Sequence, residues 1–384
     1  MGATKRYIEE QEGLYNFDTK EFVCSHHIKD DYIKKFILDN GKKGKCDYCE
    51  CNRKVIELSE VLKLIVVGID YYYEDANDSR YLRKSGKHGL DGDTFDSYDL
   101  FYEDKLGLLI DFDLLEDIHE YLKTDIIYCL KNEYTSESEY YHSAWNNLKE
   151  IVKTKARFVF HFDKQFSSFN SANPIEVLNK VQNSISHFKL FRTIETSEKL
   201  YRCRQHENKN EIDDKGINIA SNPTANCKSN NRMSPAGISM FYCSPHKDIC
   251  VNEVVNFSNK SKPYYTTAFF NPKNKLKLVD LTKLTELPSA FDEKNNWQIE
   301  TLFFLKDFIK DISKPIVEND AIIDYVPTQI VTEYIRYNPK LNVDGLIYPS
   351  STDNSKENYV LFMDHEESIK ELVFNSKSIK INKI

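Results

Sequence analysis

No stretch of this 384-residue chain is apolar for the ~20 residues that a bilayer crossing needs. Its densest apolar window, residues 62–69, is far too short, so no membrane-spanning helix is expected. The opening M-G-A-T-K-R-Y-I-E-E has no apolar centre, and a secretory signal is not expected either. Positive charge is also scarce: 52 Lys and Arg face 60 Asp and Glu, and the net charge of −8 argues against a dedicated nucleic-acid binder. Repeats with a period of 20–50 residues and long low-complexity tracts are absent, which excludes solenoids and arrays. The nine cysteines cannot all pair, and four fall within residues 24–51. That distribution points to metal-binding thiols in a reducing cytoplasm and not to a disulfide framework.

What is present describes a soluble globular chain long enough for two or three domains. Apolar residues make up 40% and charged residues 29%, a balance that can fill a core. Tyr (24) and Phe (23) are abundant, enough to fill cores and still leave rings for stacking on ligands.

The first 55 residues carry C-S-H-H (24–27) and C-D-Y-C (46–49). Cys24, His27, Cys46 and Cys49 thus form a C-x2-H…C-x2-C array in which each pair can reach one ion. Thiolates and an imidazole in four-coordinate geometry suit Zn2+, and four protein ligands leave no open position, so the ion is expected to be structural. His26 and Cys51 are alternative ligands. Between the pairs the sequence predicts a short helix ending at Gly41, with Tyr32, Ile33, Phe36 and Ile37 on its inner face.

Residues 56–189 are expected to be a helical domain. Ser59 could cap a buried helix through 61–73, and helical periodicity returns over 97–109, 112–123 and 136–153. Asn173-Pro174-Ile175-Glu176 has the cap, proline and acid of a helix start. The alternation in A-R-F-V-F-H-F (156–162) predicts a strand or extended chain. Arg83 and His88 have the R-x4-H spacing that resembles the ribonuclease motif of HEPN domains, but they sit in a Ser/Gly/Lys loop and are read as solvated.

From residue 190 short β-rich runs (190–194, 200–204, 238–243, 264–270, 276–281, 345–349 and 359–364) alternate with short helices (247–255, 297–312, 328–337). This pattern predicts an α+β domain over 190–384. At its centre lies R-M-S-P-A-G-I-S-M-F-Y-C-S-P-H-K-D-I-C-V-N-E (232–253), which sets an Arg, an aromatic and an acid about ten residues apart. Arginine forks bind phosphate oxygens, and a Tyr offers a flat face to a ring. A carboxylate near a sugar can stabilise an oxocarbenium-like transition state. His206 and His246, read as polar-loop residues, are left aside. Gln329 and Glu333 are candidate supports, with Thr328 as a helix cap.

These blocks, L-Y-R-C-R, N-R-M-S-P-A-G…F-Y-C…N-E, Y-V-P-T-Q-I-V-T-E-Y-I-R and D-G-L-I-Y-P-S-S, resemble the RES domain family in residue type and order. The resemblance implies a toxin with an ADP-ribosyltransferase-like mixed β core that acts on NAD+. NAD+ would be the substrate, cleaved as by a glycohydrolase or phosphorylase, or used for ADP-ribosyl transfer to a macromolecule. Arg202 and Arg232 match the family arginines, Tyr242 the aromatic, Glu253 the acid and Ser350 the serine, with Ser351 competing for the last role. The two arginines would grip the pyrophosphate from adjacent strands, and Ser350 would meet the ribose or the acceptor. The N-terminal half is similar to the zinc-bearing HEPN-class domain found ahead of RES domains. An antitoxin or regulatory protein is the partner that the toxin resemblance implies, and oligomerisation stays open. A reading from another class makes the zinc-stabilised N-terminal half a binding module.

Overall fold

The computed structural model describes residues 14–79, 94–108, 111–131, 136–159, 173–213, 215–314, 321–353 and 355–384. Arg83, His88 and residues 160–162 lie outside them. The chain is α+β and divides into two compact units. The first comprises Met1–Ser136 and Glu286–Thr301, the second Glu137–Thr285 and Leu302–Ile384. No helix among the described residues is long and apolar enough to cross a membrane.

In the first unit, β1 (Phe22–Cys24), β2 (Lys42–Lys45) and β3 (Asn52–Glu57) form an antiparallel sheet with β3 in the middle. The predicted helix is α1 (Asp31–Asn40), capped by Asp30, whose carboxylate accepts from Ile33 N, and closed at Gly41. Its inner face buries Ile33 and Ile37, with Tyr32 and Phe36 half-buried. α2 (Leu58–Tyr72) follows β3 directly, so Ser59 lies inside the helix and is not its cap. Thr19 Oγ1 instead accepts from Ser59 N at 3.0 Å and satisfies one of the donors that a helix start leaves open. α2 is buried at Val61, Leu62, Ile65, Val66 and Ile69. Its Gly68 lies under the Phe291 ring, which a Cβ there would meet at 2.3 Å.

The segment expected to be helical also holds an antiparallel sheet of β4 (Tyr73–Asp75), β5 (Thr94–Phe95) and β6 (Tyr128–Leu130), with β6 central. Strands of two or three residues are too short for alternation to reveal. α3 (Ser97–Tyr102) opens on an Asp96–Asp99 capping box, and α4 (Phe112–Leu122) follows it.

The second unit begins with α5 (Glu137–Thr154) and α6 (Pro174–His187), the latter capped by Asn173. Residues 156–159 are irregular and not part of a strand. A mixed five-stranded sheet has the order β7 (Phe191–Ile194), β11 (Leu276–Asp280), β12 (Gly345–Pro349), β13 (Glu357–Leu361), β9 (Phe241–Cys243). One face, with Val279, Leu346 and Val360, buries Trp145, Leu148, Val181 and Ile185 of α5 and α6. The same core takes in Phe304 and Phe308 of α8 (Ile299–Ser313) and Val331 and Ile335 of α10 (Val326–Tyr337), which follows the four-residue α9 (Ala321–Asp324). α5 and α6 bury their apolar faces on this sheet and group with it in the second unit, which begins at Glu137.

The other face shares a core of Phe241, Leu278, Ile347 and Leu361 with Leu200, Ala268 and Phe270 of a second sheet. There β8 (Leu200–His206) pairs along β10 (Tyr264–Pro272), whose other edge takes β14 (Leu372–Phe374) and β15 (Lys380–Lys383). Reciprocal backbone bonds between Tyr201 and Ser244, 2.8 and 2.9 Å, tie the two sheets where β8 meets the end of β9.

Candidate active site and metal centre

Strand periodicity builds the first site. Successive side chains of a strand alternate between faces. In the five-stranded sheet Tyr242 lies opposite Val360, and Asn358 lies opposite Tyr348. Tyr242, Tyr348 and Asn358 therefore share one face, and Ser350, two residues past Tyr348, continues it beyond the end of β12.

Glu253 comes to this face from the last turn of α7 (Lys247–Val254). Its Oε1 accepts from Ser350 Oγ at 2.6 Å, Ser351 N at 3.1 Å and Asn358 Nδ2 at 3.0 Å. Oε2 has Ser351 Oγ at 3.2 Å. The residue is exposed, yet its carboxylate is fixed on one side. Where the resemblance sets Ser350 against ribose or acceptor, the side chain is 0% exposed, and its hydroxyl serves Glu253.

Tyr242 packs on the helical core, and its hydroxyl shares a 2.9 Å bond with Ser234 Oγ. Burial pushes its phenol well above the usual range. Tyr348, unremarked in the sequence, is buried beside it. Desolvation raises its phenol furthest, Tyr242 and Glu253 raise it further, and the Arg232 cation opposes them. The available signal was Tyr348's place two residues before Ser350 on the same strand face.

The arginines are differently engaged from the expectation. Arg202, on β8, donates from Nε to Ile219 O at 2.8 Å and from Nη1 to Tyr242 O at 2.6 Å, and its guanidinium lies 4.9 Å from the Phe241 ring centroid. Burial lowers it to about 10, which leaves it cationic at neutral pH. It fastens β9 from behind. Arg232 is not on an adjacent strand but in the loop before β9, where Pro235 and Gly237, at φ +89°, turn the chain. Its Nη1 donates to Ile312 O at 3.0 Å and Lys314 O at 2.6 Å, at the C-terminal end of α8 where a cation suits the helix dipole.

α10 holds that loop. Thr328 Oγ1 is 2.7 Å from Arg232 O and 2.8 Å from Tyr325 O, so Thr328 is a support within the helix and not its cap. Gln329 Nε2 donates to Asn231 O at 2.9 Å. His206 is the buried end of β8, not a loop residue. Its Nδ1 lies 2.8 Å from Asn208 O and its Nε2 2.8 Å from Thr266 Oγ1. His246 is exposed at the start of α7.

The second site lies in the first unit. Donor atoms of Cys24, His27, Cys46 and Cys49 all fall within 4.8 Å of one another, an arrangement that could hold a metal ion. His26 and Cys51 are exposed and outside the group. His27 Nδ1 is 2.6 Å from Asp111 Oδ2, which leaves Nε2 for an ion. That nitrogen is buried without a hydrogen-bond partner among the described residues. A buried imidazole nitrogen left open beside three thiols fits Zn2+, which a carboxylate behind the histidine would orient. Burial, then Cys46, pushes the Cys24 thiol up to about 12, while the Cys51 backbone and His27 bring Cys49 down to about 6.

Two family models match the chain: HEPN/RES N-terminal domain 1 over residues 39–166 and the RES domain over residues 199–378. No curated protein matches it. Arg202, Arg232, Tyr242, Glu253 and Ser350 all fall within the second span, and Cys46 and Cys49 within the first, which Cys24 and His27 precede.

Proposed function

Because the chain belongs to the RES domain family, with a HEPN/RES N-terminal domain 1 ahead of its RES domain, we propose that it is an NAD-degrading toxin or defence effector. It cleaves the nicotinamide–ribose bond of NAD+ and passes the ADP-ribosyl group to water or phosphate. The observation that carries this reading is the Glu253 carboxylate, held through Oε1 by Ser350, Ser351 and Asn358.

In the reaction the bond between the anomeric carbon and the pyridinium nitrogen breaks, and its electron pair returns to nitrogen. Nicotinamide leaves neutral and needs no proton. Positive charge grows on the sugar instead, and a carboxylate already fixed there stabilises the transition state more than the ground state. Glu253 fills that role by accepting from ribose hydroxyls. Water or phosphate then bonds to the anomeric carbon, and water gives up a proton. Tyr242, which is only partly buried, is the aromatic offered to the nicotinamide ring, and Arg232 supplies positive charge for the pyrophosphate. Arg202 holds β9 in place. Cys24, His27, Cys46 and Cys49 hold a structural Zn2+ that anchors the N-terminal sheet.

The test is nicotinamide release from NAD+ by the full chain and by Glu253→Ala. Release by the wild type and loss of at least about 100-fold in the variant supports the assignment. Equal rates would remove Glu253 from it.

A further inference from the structure

The bonds around Glu253 divide its two oxygens. Oε1 has three donors from the protein, Ser350 Oγ, Ser351 N and Asn358 Nδ2, between 2.6 and 3.1 Å. A carboxylate oxygen has two lone pairs, so three donors saturate it. Among the described residues Oε2 has only the Ser351 hydroxyl, at 3.2 Å, and that hydroxyl also lies 3.3 Å from Oε1. The capacity left for a ligand is on Oε2.

Of the three donors, Ser350 and Ser351 sit on the turn after β12, whereas Asn358 is inside the sheet and 7% exposed. Its strand is braced from the opposite face. Arg192 bonds both oxygens of Glu357, at 2.5 and 3.0 Å, and the Tyr359 hydroxyl at 3.1 Å, while its Nε donates to the fully buried Asp280 at 2.8 Å. The residues on either side of Asn358 are thus fixed, and the amide reaches Glu253 from a rigid element. A donor mounted this way costs no reorganisation when charge develops.

We infer that Asn358 is a positioning residue for Glu253: its amide helps hold Oε1 on the protein so that Oε2 alone turns to the ribose. The catalytic part of this inference rests on the NAD-cleaving reading, and the positional part does not.

Asn358→Leu removes the donor at similar volume, and Asn358→Gln keeps an amide at that place. The measurements are kcat and KM for nicotinamide release by the full-length chain, together with a crystal structure of Asn358→Leu. The expected result is a kcat about 10- to 100-fold lower in Asn358→Leu, the cost of a misplaced catalytic group, with KM for NAD+ within about twofold and part of kcat restored by Asn358→Gln. The crystal structure is expected to find the Glu253 carboxylate turned away from Ser351 N. A kcat within about twofold of wild type, or a carboxylate still in place, overturns the inference. If Asn358→Leu does not fold, Asn358→Ser, which is too short to reach Oε1, takes its place in both measurements. If wild type leaves NAD+ intact, the reading of the site fails, and the crystal structure still decides the positioning.

Discussion

At the scale of single residues, the account depends on groups held by donors and acceptors of known geometry. Glu253→Gln keeps the shape of the side chain and removes its charge. The prediction is a fall of about 100- to 1,000-fold in kcat for nicotinamide release, comparable to removing one group that stabilises transition-state charge, at an unchanged melting temperature. At the metal centre, Asp111→Asn removes the anionic acceptor behind His27 Nδ1. Its zinc affinity, measured by competition with a chromophoric chelator, is predicted to drop about 10- to 100-fold. Glu253, Ser350 and Ser351 were candidates because acid, aromatic and serine types recur in a recognised order, and hydrogen bonds join the three. Asn358 and Tyr348 were not, because an Asn and a Tyr gain meaning only when strand register sets them opposite each other. Nor could residue type tell that the Arg202 Nε and Nη1 donate to backbone carbonyls.

At the scale of elements, two contacts lend themselves to measurement. Gly68→Ala puts a methyl group into the Phe291 ring. Overpacking of this kind costs about 1–3 kcal/mol, and a denaturant titration followed in the first unit is predicted to show that loss. In the second unit, Asp311 on α8 accepts from Trp145 Nε1 and Lys149 Nζ of α5, each at 2.7 Å. Burial pushes its carboxyl up, but the bonds from Lys149, Lys314 and Trp145 outweigh this and hold it at about 2. The folded value lies below the ~3.9 of a free Asp. Its stabilisation is therefore complete above pH ~4 and is lost as pH falls from there through about 2. Asp311→Asn is predicted to flatten the pH dependence of stability in that window, and an unchanged acid-unfolding curve would count against the pairing. Helix starts were legible where cap, proline and acid coincide, as at Asn173–Glu176. The short strands β4, β5 and β6 were hidden by their length, and Ser59 was misread because its acceptor, Thr19, comes from a distant loop.

At the scale of the whole molecule, the two units carry different chemistry. The Cys/His group that could hold a metal ion lies in the first, the Glu253 group in the second. Chelation of the full chain is predicted to raise hydrogen exchange over residues 22–57, because a small sheet relies on its ion, while the strands around Glu253 keep their protection. Loss of protection across both units at once would contradict a local structural role for the metal. That α5 and α6 group with the second unit is not visible in their periodicity, which is that of the helices before them. Only the sheet they pack on assigns them to the second unit. The return of residues 286–301 to the first unit was equally hidden, since Phe291 meets Gly68 across more than half the chain.

The most direct test is the product spectrum of the purified full-length chain with NAD+, with and without phosphate, followed by proton NMR. The account predicts that free nicotinamide appears together with ADP-ribose, or with ADP-ribose 1″-phosphate when phosphate is present. NAD+ that stays intact under both conditions would contradict it.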